Sequence, residues 1–253
     1  MKFDKIAKLV DGIPFTSMSK GKIFYDFVIK NKPQNCLELG FGFGVGSSYI
    51  AGALDENKSG QLTIVDLEKS FKSDKFPNVT AEKLIDDLKL NSYVSIVREK
   101  KSYIWFLKRM IDENTFNKFQ CNKVYDFVFI DGPKHWITDG FAFFLVDKLL
   151  KEGGWIVFDD YLWKMSDHQR KIKPGSGYLD DIDEGHLDIP QIKEVFEKLL
   201  MQTGKYSNFN IDDNILAWAQ KVKADNVKIA YTSSSSLKYK FLTIIKKLLK
   251  RNY

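Results

Sequence analysis

Cysteine is nearly absent from this 253-residue chain, with Cys36 and Cys121 as the whole complement. Two thiols set beside apolar residues or short polar turns cannot staple a small scaffold. The disulfide-rich secreted class is therefore excluded, and both are expected as buried free thiols in a reducing cytoplasm. Long apolar runs are missing at the start of the chain. The opening MKFDKIAKLVDGIPF places acids among its apolar residues, so it reads as neither a secretory leader nor a membrane span. No internal repeat is visible, and Ser233–Ser236 is the one low-complexity tract. What the chain does have is core material. Hydrophobic residues make up 44% of it, with 20 Phe and 11 Tyr, enough for one α/β domain with additions and too little for two large ones.

A cationic surface is also lacking over most of the length. The net charge is +6, yet residues 224–253 carry seven basic side chains (Lys228, Lys238, Lys240, Lys246, Lys247, Lys250 and Arg251) against Asp225, which leaves residues 1–223 neutral. A groove that tracks phosphates needs a local cationic excess, so nucleic acid is not an expected partner and an RNA-modifying role is disfavoured. In the tail, Phe241, Ile244, Ile245, Leu248 and Leu249 fall on one helical face among lysines. Residues 237–252 therefore suit weak contact with an anionic membrane surface, such as the inner face of the cell membrane. A terminal helix packed on its own domain or on a dimer mate fits the same pattern.

Short apolar runs at Asn35–Leu39, Leu62–Val65, Val94–Val97, Val124–Ile130 and Trp155–Phe158 predict strands. Between them, Thr80–Leu90, Tyr103–Ile111 and Gly140–Leu150 return apolar residues at three- and four-residue steps, as helices require. Strand and helix alternate, which predicts an α/β fold built on a Rossmann-like, doubly wound, mostly parallel sheet. The periodicity breaks over Tyr161–Ile189, read as a loop or lid. Pro190 then opens a helix to about Gln202, and the runs Tyr206–Ile211 and Ile215–Val222 flank Asp212-Asp213-Asn214 as a C-terminal antiparallel hairpin. The expected organisation is an N-terminal cap over residues 1–20, a domain over 21–223 with its lid at 161–189, and the basic tail at 224–253.

The first chemical signal is Glu38-Leu39-Gly40-Phe41-Gly42-Phe43-Gly44, a strand entering a glycine-rich turn ahead of a helical run at Ser48–Leu54. Glycine lets the backbone turn tightly and approach a ligand. The next strand ends at Asp66, where a carboxylate can accept hydrogen bonds from two ribose hydroxyls. Either feature could be purely structural, the glycines as a tight connection and Asp66 as a helix cap. An acid two residues before GxGxG resembles the nucleotide-binding motif of class I S-adenosylmethionine (SAM)-dependent methyltransferases. That resemblance implies SAM as cofactor and Glu38, Gly40, Gly42, Gly44 and Asp66 as its binding residues. Arg98-Glu99-Lys100-Lys101-Ser102 does not match the family's adenine-side pattern.

Two further strands end in acids, FVFID at Asp131 and WIVFDD at Asp159 and Asp160. If those strands are neighbours, three carboxylates emerge at one sheet edge and call for a hard cation such as Mg²⁺; helix capping by the aspartates is the plainer alternative. FIDGPKHW followed by GGWIVFDDYLW resembles the metal-dependent O-methyltransferases, a set including catechol and bacterial sugar O-methyltransferases. The resemblance implies Asp131, Asp159 and Asp160 as metal ligands and Lys134 as the residue that takes the acceptor proton. His135, adjacent to it, needs no pKa shift for that task and stays open as the alternative base. Met18–Ile23 resembles the start of this group's helix before the first strand, where the chain closes over SAM.

The resemblance covers roughly Phe15 to Val222, and neither the Tyr161–Ile189 loop nor the tail matches a family pattern. The expected activity is O-methylation of a sugar hydroxyl, on a nucleotide-linked sugar or surface-polysaccharide unit, with Tyr161, Trp136 and Trp163 near the mouth. A catechol or other small phenol is the alternative acceptor. A non-catalytic SAM-fold binding module is the alternative from another class, and family habit suggests a homodimer.

Overall fold

The computed structural model describes residues 1–68, 75–118, 120–167 and 183–222, all within one compact unit, Met1–Lys223. Seven strands form the main sheet: β1 (Asn35–Leu39), β2 (Gln61–Leu67), β3 (Val94–Glu99), β6 (Tyr125–Ile130), β7 (Leu150–Phe158), β8 (Tyr206–Asp212) and β9 (Leu216–Lys221). Their spatial order is β3-β2-β1-β6-β7-β9-β8. The first five pair in parallel, and β9 joins antiparallel to both β7 and β8. The expected sheet and closing hairpin are both present. A small antiparallel ribbon, β4 (Thr115–Asn117) with β5 (Gln120–Cys121), was not legible in the sequence pattern.

Strands buried on both faces need apolar side chains at successive positions, which is why β6 reads as an almost continuous apolar run. Phe127 and Phe129 enter one core with Cys36, Ile64 and Trp218, whereas Val128 and Ile130 enter the other with Leu37, Leu39 and Phe158. The first core is covered by α1 (Phe3–Val10), α2 (Met18–Asn31), α3 (Val45–Asn57) and α4 (Ala81–Asp87). The second is covered by α5 (Tyr103–Asn114), α6 (Trp136–Leu149) and α7 (Gln191–Glu194), which continues as a π-type turn through Leu200. Pro190 stands at the N-cap of α7, one residue ahead of the first helical position that proline favours. Cys36 is buried as expected, but Cys121 is only half-buried, because the β4–β5 ribbon lies at the surface.

The N-terminal segment carries α1 and the start of α2. Helix α1 buries Ile6, Ala7 and Val10 against the first core, and Ser17 caps α2 by accepting from the Lys20 backbone N–H at 3.2 Å. Gly21 is required in α2, since a Cβ there would stand 2.3 Å from the Tyr49 ring of α3. Residues 168–182 of the expected lid and the whole basic tail lie outside the described residues. No helix among the described residues is long and apolar enough to cross a membrane.

Asp147 on α6 anchors the antiparallel end of the sheet. It pairs with Lys205 at 2.8 Å and Lys221 at 2.9 Å and accepts from the Tyr206 hydroxyl at 2.9 Å. Burial pushes the Asp147 carboxyl up, but the bonds and charges of Lys205 and Lys221, with the Tyr206 hydroxyl, outweigh it and hold its pKa at about 2. Because the folded pKa lies below the unfolded value of about 3.9, the ionised state stabilises the fold above about pH 4, and that contribution fades as pH falls toward 2. Urea titration of the wild type and D147N should show the wild type more stable at pH 7, with the difference narrowing between pH 4 and pH 2.

Candidate active site

Three parallel strands end level with one another, and their shared register builds the site. Leu39 is opposite Val65 and Ile130, and Ile130 is opposite Phe158. The ladder runs one residue further on each strand: Gly40 N–H donates to Val65 O (2.8 Å), Asp131 N–H to Leu39 O (2.8 Å), and Asp159 N–H to Ile130 O (3.0 Å). Gly40, Asp131 and Asp159 consequently stand side by side at the carboxyl edge, where open α/β sheets bind ligands.

The glycine turn lies at this edge. Gly40 adopts φ +83°, and a Cβ on it would sit 2.1 Å from the Asp131 carbonyl oxygen. Gly44 adopts φ +84° as the N-cap of α3, with Ala81 filling the place of a Cβ at 2.7 Å. Each position therefore needs glycine for both conformation and space. Asp66 holds the turn from the neighbouring strand. Its Oδ2 accepts from the N–H groups of Phe41 (3.1 Å) and Gly42 (2.9 Å), and Oδ1 from Leu67 N–H (2.7 Å). A carboxylate offers about four lone-pair sites, so these bonds leave Asp66 room to accept from a ligand hydroxyl. Glu38 is buried beneath the turn and accepts from the Ser47 hydroxyl, and burial pushes its pKa up to about 8. The segment ahead of α2 lies against the turn, with Phe15 stacked on Phe43 at 5.5 Å between ring centroids.

On the other side of Gly40, one oxygen from each of Asp131, Asp159 and Asp160 lies within 4.8 Å of the others. Unit charges about 4 Å apart repel by about 4 kcal/mol at an effective dielectric near 20, so the three acids require cations close by. Two lysines supply them. Lys134 pairs with Asp131 and with Asp160 (3.5 Å) and also donates to Gly132 O at 2.9 Å. Lys20 reaches in from α2 and donates to Asp159 Oδ2 at 2.7 Å. Asp159 Oδ1 remains buried without a hydrogen-bond partner. A buried carboxylate oxygen lacking a donor, beside two further acids, fits a hard divalent cation such as Mg²⁺.

The sequence placed Lys134 and His135 together as candidate bases, and both are buried. Burial works against the Lys134 charge, but Asp131, Asp160 and Asp159 outweigh it and hold its pKa well above the ordinary lysine value. The downward shift that a lysine base requires is thus opposed by its own carboxylate neighbours. Lys134 and Asp160 sit at φ +66° and +58°, a conformation that non-glycine residues rarely adopt and that clusters at functional sites. Asp139 stabilises this loop from below: Oδ2 accepts from His135 N–H at 2.7 Å and Oδ1 from the Tyr103 hydroxyl at 2.5 Å. Asp139 and Lys20 were both missed as site residues. The spacing of Asp139 from Asp131 gives no family signal, and Lys20 appeared only within the Met18–Ile23 segment.

Among the three mouth aromatics, Trp136 is exposed and Trp163 partly so. Tyr161 departs from the expectation, because its ring packs edge-on against Phe196 and its hydroxyl donates to Glu197 at 2.7 Å, which buries it.

Comparison with known proteins bears on this arrangement. Residues 37–161 match a family model described as a methyltransferase domain. No curated protein matches the chain. Among solved structures, the O-methyltransferase TomG of Streptomyces achromogenes, involved in tomaymycin synthesis and solved with SAM, aligns at 16% identity over 87% of this chain and 89% of that one, with a TM-score of 0.58. An O-methyltransferase of Bacillus cereus in complex with S-adenosylhomocysteine (SAH) aligns at 18% identity over 87% and 90%, with a TM-score of 0.55. An SAH-bound methyltransferase of Podospora anserina aligns at 13% identity over 87% and 88%, with a TM-score of 0.57. At these identities the likeness is one of fold.

Gly40 tests the turn directly, since an added methyl meets the Asp131 backbone rather than a flexible side chain. G40A should remain folded by circular dichroism and lose at least tenfold in SAH affinity by calorimetry. Unchanged affinity would show that the turn does not hold the ligand.

Proposed function

Because residues 37–161 match a methyltransferase-domain model and the fold is shared with SAM- and SAH-bound O-methyltransferases, we propose that this chain is a divalent-metal-dependent O-methyltransferase acting on a sugar hydroxyl. The observation that carries the reading is the contact of the glycine turn with the carboxylate cluster, where Gly40 abuts the backbone of Asp131. A methyl donor seated on the turn and an acceptor oxygen held at the acids would then meet across that contact. When bound, SAM supplies a methyl group on a sulfonium, and a divalent ion supplies charge that favours the deprotonated acceptor oxygen.

The chain's own residues mainly position and neutralise. Glu38 supports the turn from its buried place on Ser47, and Asp66 holds the turn and offers its remaining acceptor sites to the ribose of the donor. Asp131, Asp159 and Asp160 would hold the ion, with Asp159 Oδ1 as a buried oxygen ready for it. To Lys134 Nζ, paired with Asp131 and Asp160, we assign the role of receiving the acceptor proton, with His135 as the alternative base. The lysine can do so only once added positive charge at the carboxylates offsets the acids that keep it protonated. Methyl transfer needs little covalent chemistry from the protein, so orientation and charge stabilisation supply most of the rate.

For the acceptor, a nucleotide-linked sugar or polysaccharide unit is favoured by the likeness of FIDG and FDDY to the sugar enzymes, and the exposed indole of Trp136 offers a face for a sugar ring. Mass spectrometry of methyl transfer from SAM to a panel of nucleotide sugars and catechols, with Mg²⁺ and again with excess EDTA, tests both parts. Transfer to a sugar that EDTA stops is expected, and D131N should fall at least 100-fold while still binding SAH. Transfer to catechols alone would replace the acceptor class, and transfer insensitive to EDTA would remove the metal.

A further inference from the structure

The metal reading of the acids leaves Lys20 unexplained. It lies 139 residues from Asp159 in sequence, in the first turn of α2, yet its ammonium donates to Asp159 Oδ2 at 2.7 Å with its side chain only 10% exposed. Burying a long cationic side chain costs rotamer freedom and hydration, so the position demands a compensating interaction. Asp159 supplies it, with Asp131 and Asp160 adding to the charge that holds Lys20 protonated despite its burial. The approach is built into the fold. Gly21, next in sequence, lets α2 press onto the Tyr49 ring of α3.

The consequence for Asp159 is asymmetric. One oxygen is fixed by Lys20 and the other is buried with no donor. We propose that Lys20 is a positioning residue for the metal centre: it fixes the Asp159 carboxylate through Oδ2, so that Oδ1 is held ready as a ligand for a divalent cation. This rests on the metal-dependent reading above. Groups that hold a ligating carboxylate by its second atom typically affect metal affinity 10- to 100-fold, roughly. Lys20 also ties the segment that lies against the glycine turn to the centre, so one helix start serves both halves of the site.

A simple electrostatic view makes the opposite prediction. If Lys20 only occupied space that a cation would take, its removal would strengthen metal binding. Titration of the full-length chain with Mn²⁺, followed by electron paramagnetic resonance and calorimetry, separates the two. K20M is expected to weaken Mn²⁺ binding about 10- to 100-fold and to alter the spectrum of the bound ion, with SAH affinity unchanged within about twofold. K20R, which restores a cation, should recover part of the loss. K20Q guards against a folding failure: its amide keeps the position polar but is one methylene too short to hold Asp159 Oδ2 as the ammonium does, so a loss near that of K20M is expected. Mn²⁺ binding as tight as or tighter than wild type in K20M or K20Q overturns the proposal while leaving the metal centre standing. Absence of Mn²⁺ binding in the wild type overturns the metal reading and this proposal with it.

Discussion

The site depends on one constraint, the common register of β2, β1, β6 and β7. Backbone hydrogen bonds from Gly40, Asp131 and Asp159 to the neighbouring strands carry the parallel ladder one residue past the apolar runs. A shift of one residue in any of these strands would send its side chains to the opposite face and exchange the two cores. Phe127 and Phe129 would then trade places with Val128 and Ile130, so packing on both faces enforces the register that brings the glycine turn and the acids together. Stability and function therefore share a cause.

Charge is the second theme. Three carboxylates gathered at a sheet edge would repel strongly, and the fold answers with two buried lysines that arrive by different routes. Lys134 comes from the loop after β6, in a left-handed conformation that Asp139 and Tyr103 stabilise from beneath. Lys20 comes from α2, across the sheet edge. The arrangement sets a lysine against each of the acids while leaving one Asp159 oxygen without a donor.

Much of this was legible in the residues. The strand runs, the alternation with helices, the closing hairpin and the acids at the strand ends are local patterns, and the structure places them as the sequence leads one to expect. Asp66 illustrates a partial reading. Its place at a strand tip was evident, whereas its grip on the N–H groups of Phe41 and Gly42 required the neighbouring strand to be in position. Tyr161 illustrates a miss, because a tyrosine after a strand end looks available to a ligand until Phe196 and Glu197 are seen to bury it.

The sequence by itself determined where each strand stops and which chemical group stands there, since apolar periodicity, glycine at a tight turn and acids after a strand are properties of neighbours along the chain. It determined the α/β class for the same reason. Only the tertiary structure decided that β6 and β7 lie side by side, that Lys20 and Asp159 meet, and that the carboxylates keep Lys134 protonated. Those relations depend on which surfaces pack together and how deeply they bury, and no spacing along the chain encodes a contact 139 residues long.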